Sequence, residues 1–166
     1  MKHLARLSFC LLCSLLVSCG GGEEKKEKEQ IKIGSSKTET KKTEAAVTEK
    51  ASTKIDLVNK GVGPVSSVDL PDTIDDAMAS AGAEVFKTKC TACHKIGKKF
   101  IGPAPNGLLE RRTPEWIMNM ILDPEGMVKN DPLAKELLIE FNGSPMANQS
   151  LTEEEARSIL EYFRTL

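Results

Sequence analysis

The segment that most restricts the fold of this chain is Cys90-Thr91-Ala92-Cys93-His94. Two thiols three positions apart, followed directly by an imidazole, form the attachment site for a c-type haem. Cys90 and Cys93 would form thioethers with the two haem vinyl groups, and His94 would bind the iron on the proximal side. The motif therefore predicts a domain folded around one covalently held haem c.

Two other chemistries use such a pair of thiols, since a Cys-x-x-Cys sequence also occurs in redox dithiols and in zinc sites. Zinc would need a carboxylate or a second chain here, because only His94 and three cysteines are left once a signal segment is removed. A redox dithiol of the thioredoxin type follows a strand, whereas the residues before Cys90 have a helical pattern. Haem is the preferred interpretation, and both alternatives stay open.

The amino terminus carries an export signal. A basic start precedes an apolar run from Leu7 to Val17, which is too short to span a bilayer stably. The run ends in Leu16-Val17-Ser18-Cys19-Gly20, which resembles the lipobox of bacterial lipoproteins. The resemblance implies a signal peptide of residues 1–18 and acylation of Cys19, and several acyl chains anchor a protein where one does not. We expect an exported protein, lipid-anchored to a bacterial membrane and facing the periplasm or the cell surface; an ordinary signal peptide is the alternative.

Residues 19–54 have the composition of a linker. They are rich in Glu, Lys, Ser and Thr, with almost no large apolar side chain, so they cannot bury enough surface to offset chain entropy. We predict a disordered tether. Apolar residues return in residues 55–72 but are interrupted by Gly61, Gly63 and Pro64. That stretch is either an extended arm packed on the domain, which we favour slightly, or more linker.

Residues 73–166 form the predicted domain. Aromatic residues make up only 4% of the chain, and a buried porphyrin would supply the apolar volume that they lack. Helical periodicity and capping residues predict about four to five helices, hence an all-α fold. The first helix is expected to open at Asp72 or Thr73, and later ones at Thr113-Pro114, Asp131-Pro132 and Thr152.

Two pairs of residues give the domain a resemblance to class I cytochromes c. Gly82 and Phe86 stand eight and four positions before Cys90, and Ile159 and Tyr162 stand three apart near the carboxyl terminus. In that family the first and last helices cross at these positions, where a small residue lets the backbones approach. The resemblance implies the cytochrome c fold, with one covalent haem. Ordinary core periodicity is the alternative explanation.

The same resemblance assigns residues around the haem. In Gly102-Pro103, it implies that the Pro103 carbonyl accepts the Nδ1 proton of His94, which fixes the ring and strengthens its bond to iron; a plain turn is the alternative. Trp116 and either Arg111 or Arg112 are candidates to bind a haem propionate. The alternative is a core tryptophan with solvated arginines.

The sixth iron ligand is expected to be Met146. No histidine other than His94 is left after signal cleavage, and Met146 lies in a proline-containing loop before the last helix, where the resemblance places the axial methionine. Met127 is also expected in a loop and is the second candidate. The other methionines, Met78, Met118 and Met120, fall in predicted helices. A thioether opposite imidazole raises the reduction potential and leaves no open position on the iron, so we expect an electron carrier and not an enzyme.

The predicted function is that of a membrane-tethered mono-haem cytochrome that carries single electrons between exported donor and acceptor proteins, with no nucleic-acid partner. Five lysines flank the motif and could steer an acidic partner, or be merely solvated: Lys87, Lys89, Lys95, Lys98 and Lys99. The alternative function is a haem-based sensor or small-ligand-binding lipoprotein in which the sixth ligand is labile or absent.

A weaker resemblance concerns the electron acceptor. Gly102-Pro103, the stretch from Arg111 to Trp116, and Tyr162-Phe163-Arg164 are similar to lipoprotein cytochromes that accompany bacterial nitrous-oxide reductases. This resemblance implies a periplasmic copper reductase of nitrogen-oxide respiration as the acceptor.

Overall fold

A computed structural model describes residues 49–166. This part of the chain contains five α-helices, so the prediction of an all-α domain with four to five helices is confirmed. None of these helices has the length and apolar character needed to cross a bilayer. The helices are α1 Asp76–Lys89, α2 Pro114–Leu122, α3 Pro124–Asn130, α4 Pro132–Glu140 and α5 Glu153–Phe163, with a 3₁₀ turn at Leu108–Glu110.

Three successive helices begin with a capping side chain followed by proline. Thr113 Oγ1 accepts the backbone N–H of Trp116 and opens α2, as predicted. Asp131 caps α4 in the same way. Asp123 ends α2, and its carboxylate also caps α3, a helix whose start was not predicted. The prediction that Met127 lies in a loop is therefore wrong, because Met127 is a fully buried residue of α3.

Helix α1 begins later than the predicted start at Asp72 or Thr73. Asp75 is its cap, accepting the N–H of Met78, and its own N–H donates to Glu161 on α5 at 2.9 Å. That tertiary bond fixes the point where the chain enters the helix. The predicted start of α5 at Thr152 is confirmed, and Thr152 forms a capping box with Glu155 there.

Helices α1 and α5 cross at Gly82. A Cβ atom built on Gly82 would lie 1.9 Å from the carbonyl oxygen of Ser158, so only glycine permits this approach. One turn later, the ring of Phe86 lies 5.6 Å from the rings of both Tyr162 and Phe163. The crossing expected from the sequence is confirmed, and it holds the carboxyl end of α1, where the haem motif begins.

Residues 49–72 form an irregular arm that packs on α2 and α3. Asn119 of α2 accepts the N–H of Val65 and donates to the carbonyls of Val65 and Lys60. Gly61, with φ +71°, lies so close to Met127 that a Cβ would be 2.7 Å from its sulfur. Helix α2 is consequently buried on the side that faces the arm.

The amino-terminal part of this arm corrects the predicted tether, which was expected to run to residue 54. Ala51 is only 5% exposed, and Glu140 of α4 accepts bonds from the N–H and the Oγ of Ser52 at 2.7 and 2.6 Å. Arg112 donates to the carbonyls of Ala51 and Lys54. Packing begins near residue 50 because this polar stretch binds the buried guanidinium of Arg112 and the half-buried carboxylate of Glu140, which no hydrophobicity pattern reveals.

Candidate haem site

The haem motif continues directly from the end of α1. The N–H of Cys90 still donates to Phe86, and the N–H groups of Cys93 and His94 both donate to the Cys90 carbonyl, at 3.0 and 2.9 Å. This tight turn brings the two thiols and the imidazole to the wall of one cavity. The structure thus brings together the three residues that the motif nominated.

The imidazole of His94 is held by the residues that follow it. Its Nδ1 lies 2.8 Å from the carbonyl oxygen of Pro103, the geometry implied by the resemblance. A proton donated from Nδ1 leaves Nε2 with a free lone pair, the form that binds a metal. Gly102 lies against the ring, and a Cβ there would be 2.5 Å from Cε1. Gly102 therefore leaves room for the ring while Pro103 orients it.

The cavity is large and mostly apolar. It contains about 1350 Å³ of empty space, including its open mouth, and extends between the helices from the motif to the loop before α5. Met146 in that loop lines the cavity and packs against the hydrophobic core. An apolar cavity with two thiols, an imidazole and a thioether on its walls has the donor set of haem c.

The surroundings of the thiols do not match the two alternative chemistries. Burial raises the pKa of the Cys90 thiol to about 11, with a smaller contribution from neighbouring Cys93. Reactive redox dithiols have lowered pKa values instead. In residues 49–166, no group of three or more His, Cys, Asp and Glu side chains is placed to hold a metal ion such as zinc.

Two arginines supply donors at the cavity wall. Arg111 and Arg112 both line it, and the Nε atom of each is buried without a hydrogen-bond partner among the residues described. Their other guanidinium nitrogens donate to backbone carbonyls. A buried, positively charged hydrogen-bond donor is stabilised by an anionic acceptor. The carboxylates of a haem fit that requirement, in line with the predicted propionate role.

Trp116 lies in the cavity wall, but its polar atom is already paired. The side chain is 3% exposed, and the indole N–H donates to Asp131 at 3.2 Å. To donate to a haem propionate, the role predicted from the sequence, the indole N–H would have to give up its bond to Asp131. The guanidinium of Arg112 lies 5.2 Å from the centre of the ring, so Trp116 also packs against one of the two arginines.

The methionines divide by position. Met127 is turned towards the arm, where the N–H of Val62 lies 3.1 Å from its sulfur, which removes it as second candidate for the iron. Met120 of α2 lines the cavity together with Met146. Ser52 of the arm also lines it, a residue that no sequence signal nominated. Cys19, the predicted lipidation site, lies outside the described residues.

The lysines near the motif are mostly at the surface. Lys87 and Lys89 occupy the last turn of α1, and the Nζ of Lys95 donates to the Thr91 carbonyl at 2.6 Å. The Nζ of Lys99 lies 4.3 Å from the centre of the Phe141 ring. In the same loop, three apolar residues are 43 to 49% exposed: Ile96, Phe100 and Ile101.

Comparison with known proteins agrees with the site. The cytochrome c family model matches residues 79–166. Cytochrome c-551 of Ectopseudomonas mendocina is 31% identical over 88 residues, which are 52% of this chain and 99% of that protein. The structure of a cytochrome c from Rhodothermus marinus is similar, with a TM-score of 0.60 and 47% identity over 62% of this chain and 88% of its own. An engineered form of that cytochrome matches with a TM-score of 0.60 and 46% identity, over 62% of this chain and 89% of that one.

The family match covers the motif, the crossing of α1 and α5, and the cavity walls apart from Ser52. The expected cytochrome c fold is confirmed by the solved structures. The chain therefore belongs to the cytochrome c family: it holds one covalent haem c and is an electron carrier, not an enzyme.

Proposed function

We propose that this chain is a mono-haem cytochrome tethered to a bacterial membrane, carrying single electrons between exported redox proteins. The observation that supports it best is the bond of 2.8 Å between His94 Nδ1 and the Pro103 carbonyl, at a cavity that Cys90, Cys93 and Met146 also line. An imidazole in this tautomer, together with a thioether, would suit an iron that changes oxidation state without changing ligands.

Each residue has one task in this proposal. Cys90 and Cys93 would hold the porphyrin by thioethers, His94 would offer Nε2 to the iron, and Met146 would offer its sulfur. When bound, haem supplies a one-electron couple that no side chain offers. The apolar lining excludes water and so favours the ferrous state, which carries less charge. Pro103 acts through its carbonyl, which sets the orientation of the imidazole.

The tether is proposed from the amino-terminal sequence. Acylation at Cys19 would leave about 30 residues before the packed arm begins near residue 50, and a random coil of that length reaches roughly 30 Å at 5–6 Å × √n. A head on such a tether stays close to the membrane surface while it meets its partners. The similarity to cytochrome c-551 supports an exported location.

The proposed acceptor is a periplasmic copper reductase of nitrogen-oxide respiration, on the weaker resemblance described above. Lys95 and Lys99, together with exposed Phe100, provide a basic and partly apolar surface beside the motif that would suit an acidic partner. Stopped-flow transfer from the reduced cytochrome to such a reductase is expected to slow as salt is raised. A rate that does not change with salt would contradict electrostatic steering.

The ligand set is tested by spectroscopy of Met146→Ala beside Met120→Leu. Both residues line the cavity, so Met120→Leu shows the effect of losing a cavity methionine that is not expected to bind the iron. We expect the wild-type protein and Met120→Leu to be six-coordinate and not to react with carbon monoxide. Met146→Ala should become five-coordinate, bind carbon monoxide and have a lower reduction potential.

Carbon monoxide binding by the wild-type protein would contradict the carrier proposal and favour the sensor alternative. Covalent attachment is tested separately by haem stain on a denaturing gel. The stain should persist in the wild-type protein and be lost when Cys90 and Cys93 are both replaced by alanine. A wild-type protein without stain would overturn the proposed roles of the two cysteines.

A further inference from the structure

Arg112 is a buried cation that has no ion pair within residues 49–166. Its side chain is 2% exposed, and within the same part of the chain its guanidinium donates only to the carbonyls of Ala51, Lys54 and Arg111. Ion pairs in residues 49–166 involve other arginines and lysines, so neither Arg111 nor Arg112 contacts a carboxylate. Burial lowers the pKa of Arg112, and the charge of Arg111 adds to this. The negative charges of Asp56, Asp131 and Glu136 act on it in the opposite direction, but their carboxylates form no ion pair with its guanidinium.

A buried guanidinium without an ion pair is unfavourable unless an anion binds to it. Leaving a buried charge without a partner costs several kcal/mol. The Nε donors of Arg111 and Arg112 are both unpaired within the described part of the chain, and both side chains line the haem cavity. The two carboxylates of a haem are the anions that the cavity would bring to them. Arg111 and Arg112 are thus the residues that would bind the propionates.

The position of Arg112 depends on the arm and not only on its own helix. Besides the two carbonyls of Ala51 and Lys54, the N–H of Asp56 donates to the Arg111 carbonyl at 2.9 Å, and Asp56 pairs with Arg112 in a parallel bridge. We call residues 51–56 the strap. Its other end is held by Glu140, which accepts two bonds from Ser52. The strap precedes the segment that the family model matches, which begins at residue 79.

We propose that the strap is a positioning element of the haem site, which holds Arg112 against the haem carboxylates and thereby raises the reduction potential. This inference rests on the proposed haem ligation and goes beyond it. A cation held near the haem favours the ferrous state, which has one positive charge fewer than the ferric state. Release of the strap would free the guanidinium and let water reach the carboxylates, so the potential would fall.

The test compares Glu140→Ala with Glu136→Ala in the full-length holoprotein. Both substitutions remove one negative charge from α4. Glu140 anchors Ser52 by two bonds, whereas Glu136 forms an exposed pair with Lys54 at 3.3 Å, a kind of contact worth little. We expect Glu136→Ala to leave the potential at or slightly above the wild-type value.

We expect Glu140→Ala to lower the potential, although the loss of a negative charge alone would raise it. A threefold change in the ratio of reduced to oxidised protein at fixed ambient potential is the expected size, or about 30 mV at 59 mV per tenfold for one electron. Tryptic cleavage after Lys50 and Lys54 should be faster in Glu140→Ala than in Glu136→Ala, because the strap is released.

Two results would overturn the inference. Faster cleavage with an unchanged or raised potential would mean that the strap does not act on the haem. Unchanged cleavage and potential would mean that Glu140 does not hold the strap. In either case, a normal haem stain and six-coordinate spectrum would leave the proposed function intact, whereas a chain without covalent haem would overturn that function instead.

Discussion

The crossing of α1 and α5 offers the sharpest test of the fold, through the substitution Gly82→Ala. The added methyl would lie 1.9 Å from the Ser158 carbonyl oxygen, 2.3 Å from its carbonyl carbon and 2.8 Å from the Ile159 nitrogen. All three are backbone atoms of α5, so no side-chain rotation relieves the overlap. The two helices must separate.

The size of the effect follows from two opposing contributions. Alanine is favoured over glycine within a helix by up to about 1 kcal/mol. Against this, the methyl would lie about 1.5 Å closer to the carbonyl oxygen than an ordinary van der Waals contact allows, and overpacking typically costs about 1–3 kcal/mol. Because Phe86 and Ile159 are buried in the same crossing, separation also loosens their contacts, which places the cost at the upper end. We expect a net destabilisation of about 2 kcal/mol.

The measurement is the free energy of unfolding of the holoprotein, from guanidinium denaturation followed by far-UV circular dichroism. Ser80→Ala is the matched control, since Ser80 is an exposed residue of the same helix and the change also adds helix propensity. The control should be unchanged or more stable by a few tenths of a kcal/mol. Gly82→Ala should lose about 2 kcal/mol, or roughly 8 °C in Tm for a domain of this size.

An equal or greater stability of Gly82→Ala relative to the wild-type protein would refute the reasoning. It would mean that helix propensity outweighs the contact, and that the close approach is not what holds α1 against α5. A destabilisation of Ser80→Ala as large as that of Gly82→Ala would have the same consequence, because it would point to α1 in general and not to the crossing.

The remaining predictions concern the charge under α1 and the support of the imidazole. Glu161 is 1% exposed, and burial alone would raise its pKa, but bonds from Asp75 N–H, Arg157 and Arg164 outweigh this and lower it. Its stabilising contribution is therefore present above the unfolded pKa of about 4.3 and is lost as pH falls through the lower folded pKa. The difference in free energy of unfolding between the wild-type protein and Glu161→Gln should therefore shrink below about pH 4. A difference that does not change with pH would contradict this. Gly102→Ala should displace the His94 ring, because the added methyl would lie 2.5 Å from Cε1, and should lower the reduction potential. An unchanged potential and spectrum would show that this overlap is relieved without moving the ring.

Local chemistry explains what was predictable from the sequence. The caps at Thr113, Asp131 and Thr152 are formed by side chains bonding the backbone two or three residues later, so they need no tertiary information. The family-based expectation at Gly82 also held, since the sequence distance from the haem cysteines places it one turn from Phe86 on the same face.

Two of the errors have a common cause. The chain enters α1 at Asp75 because Glu161 of a distant helix binds its N–H. Met127 is a different case: it is helical because Asp123 caps a helix locally, and only its burial depends on the packing of α3 beneath the arm. Residues 51–54 look like tether by composition, but their carbonyls bind a buried guanidinium. Backbone hydrogen bonds to distant side chains have no signature in hydrophobic periodicity.

What the sequence alone determined about this protein is its cofactor and its helical class, because the Cys90–His94 motif and the helix caps are encoded within a few residues. The tertiary structure decided which groups surround the cavity. The close contact of Gly102 with the imidazole and the strap that holds Arg112 join residues remote along the chain or depend on exact packing. Such contacts form only when the whole domain is folded, since their free energy depends on burial by elements that no local pattern specifies.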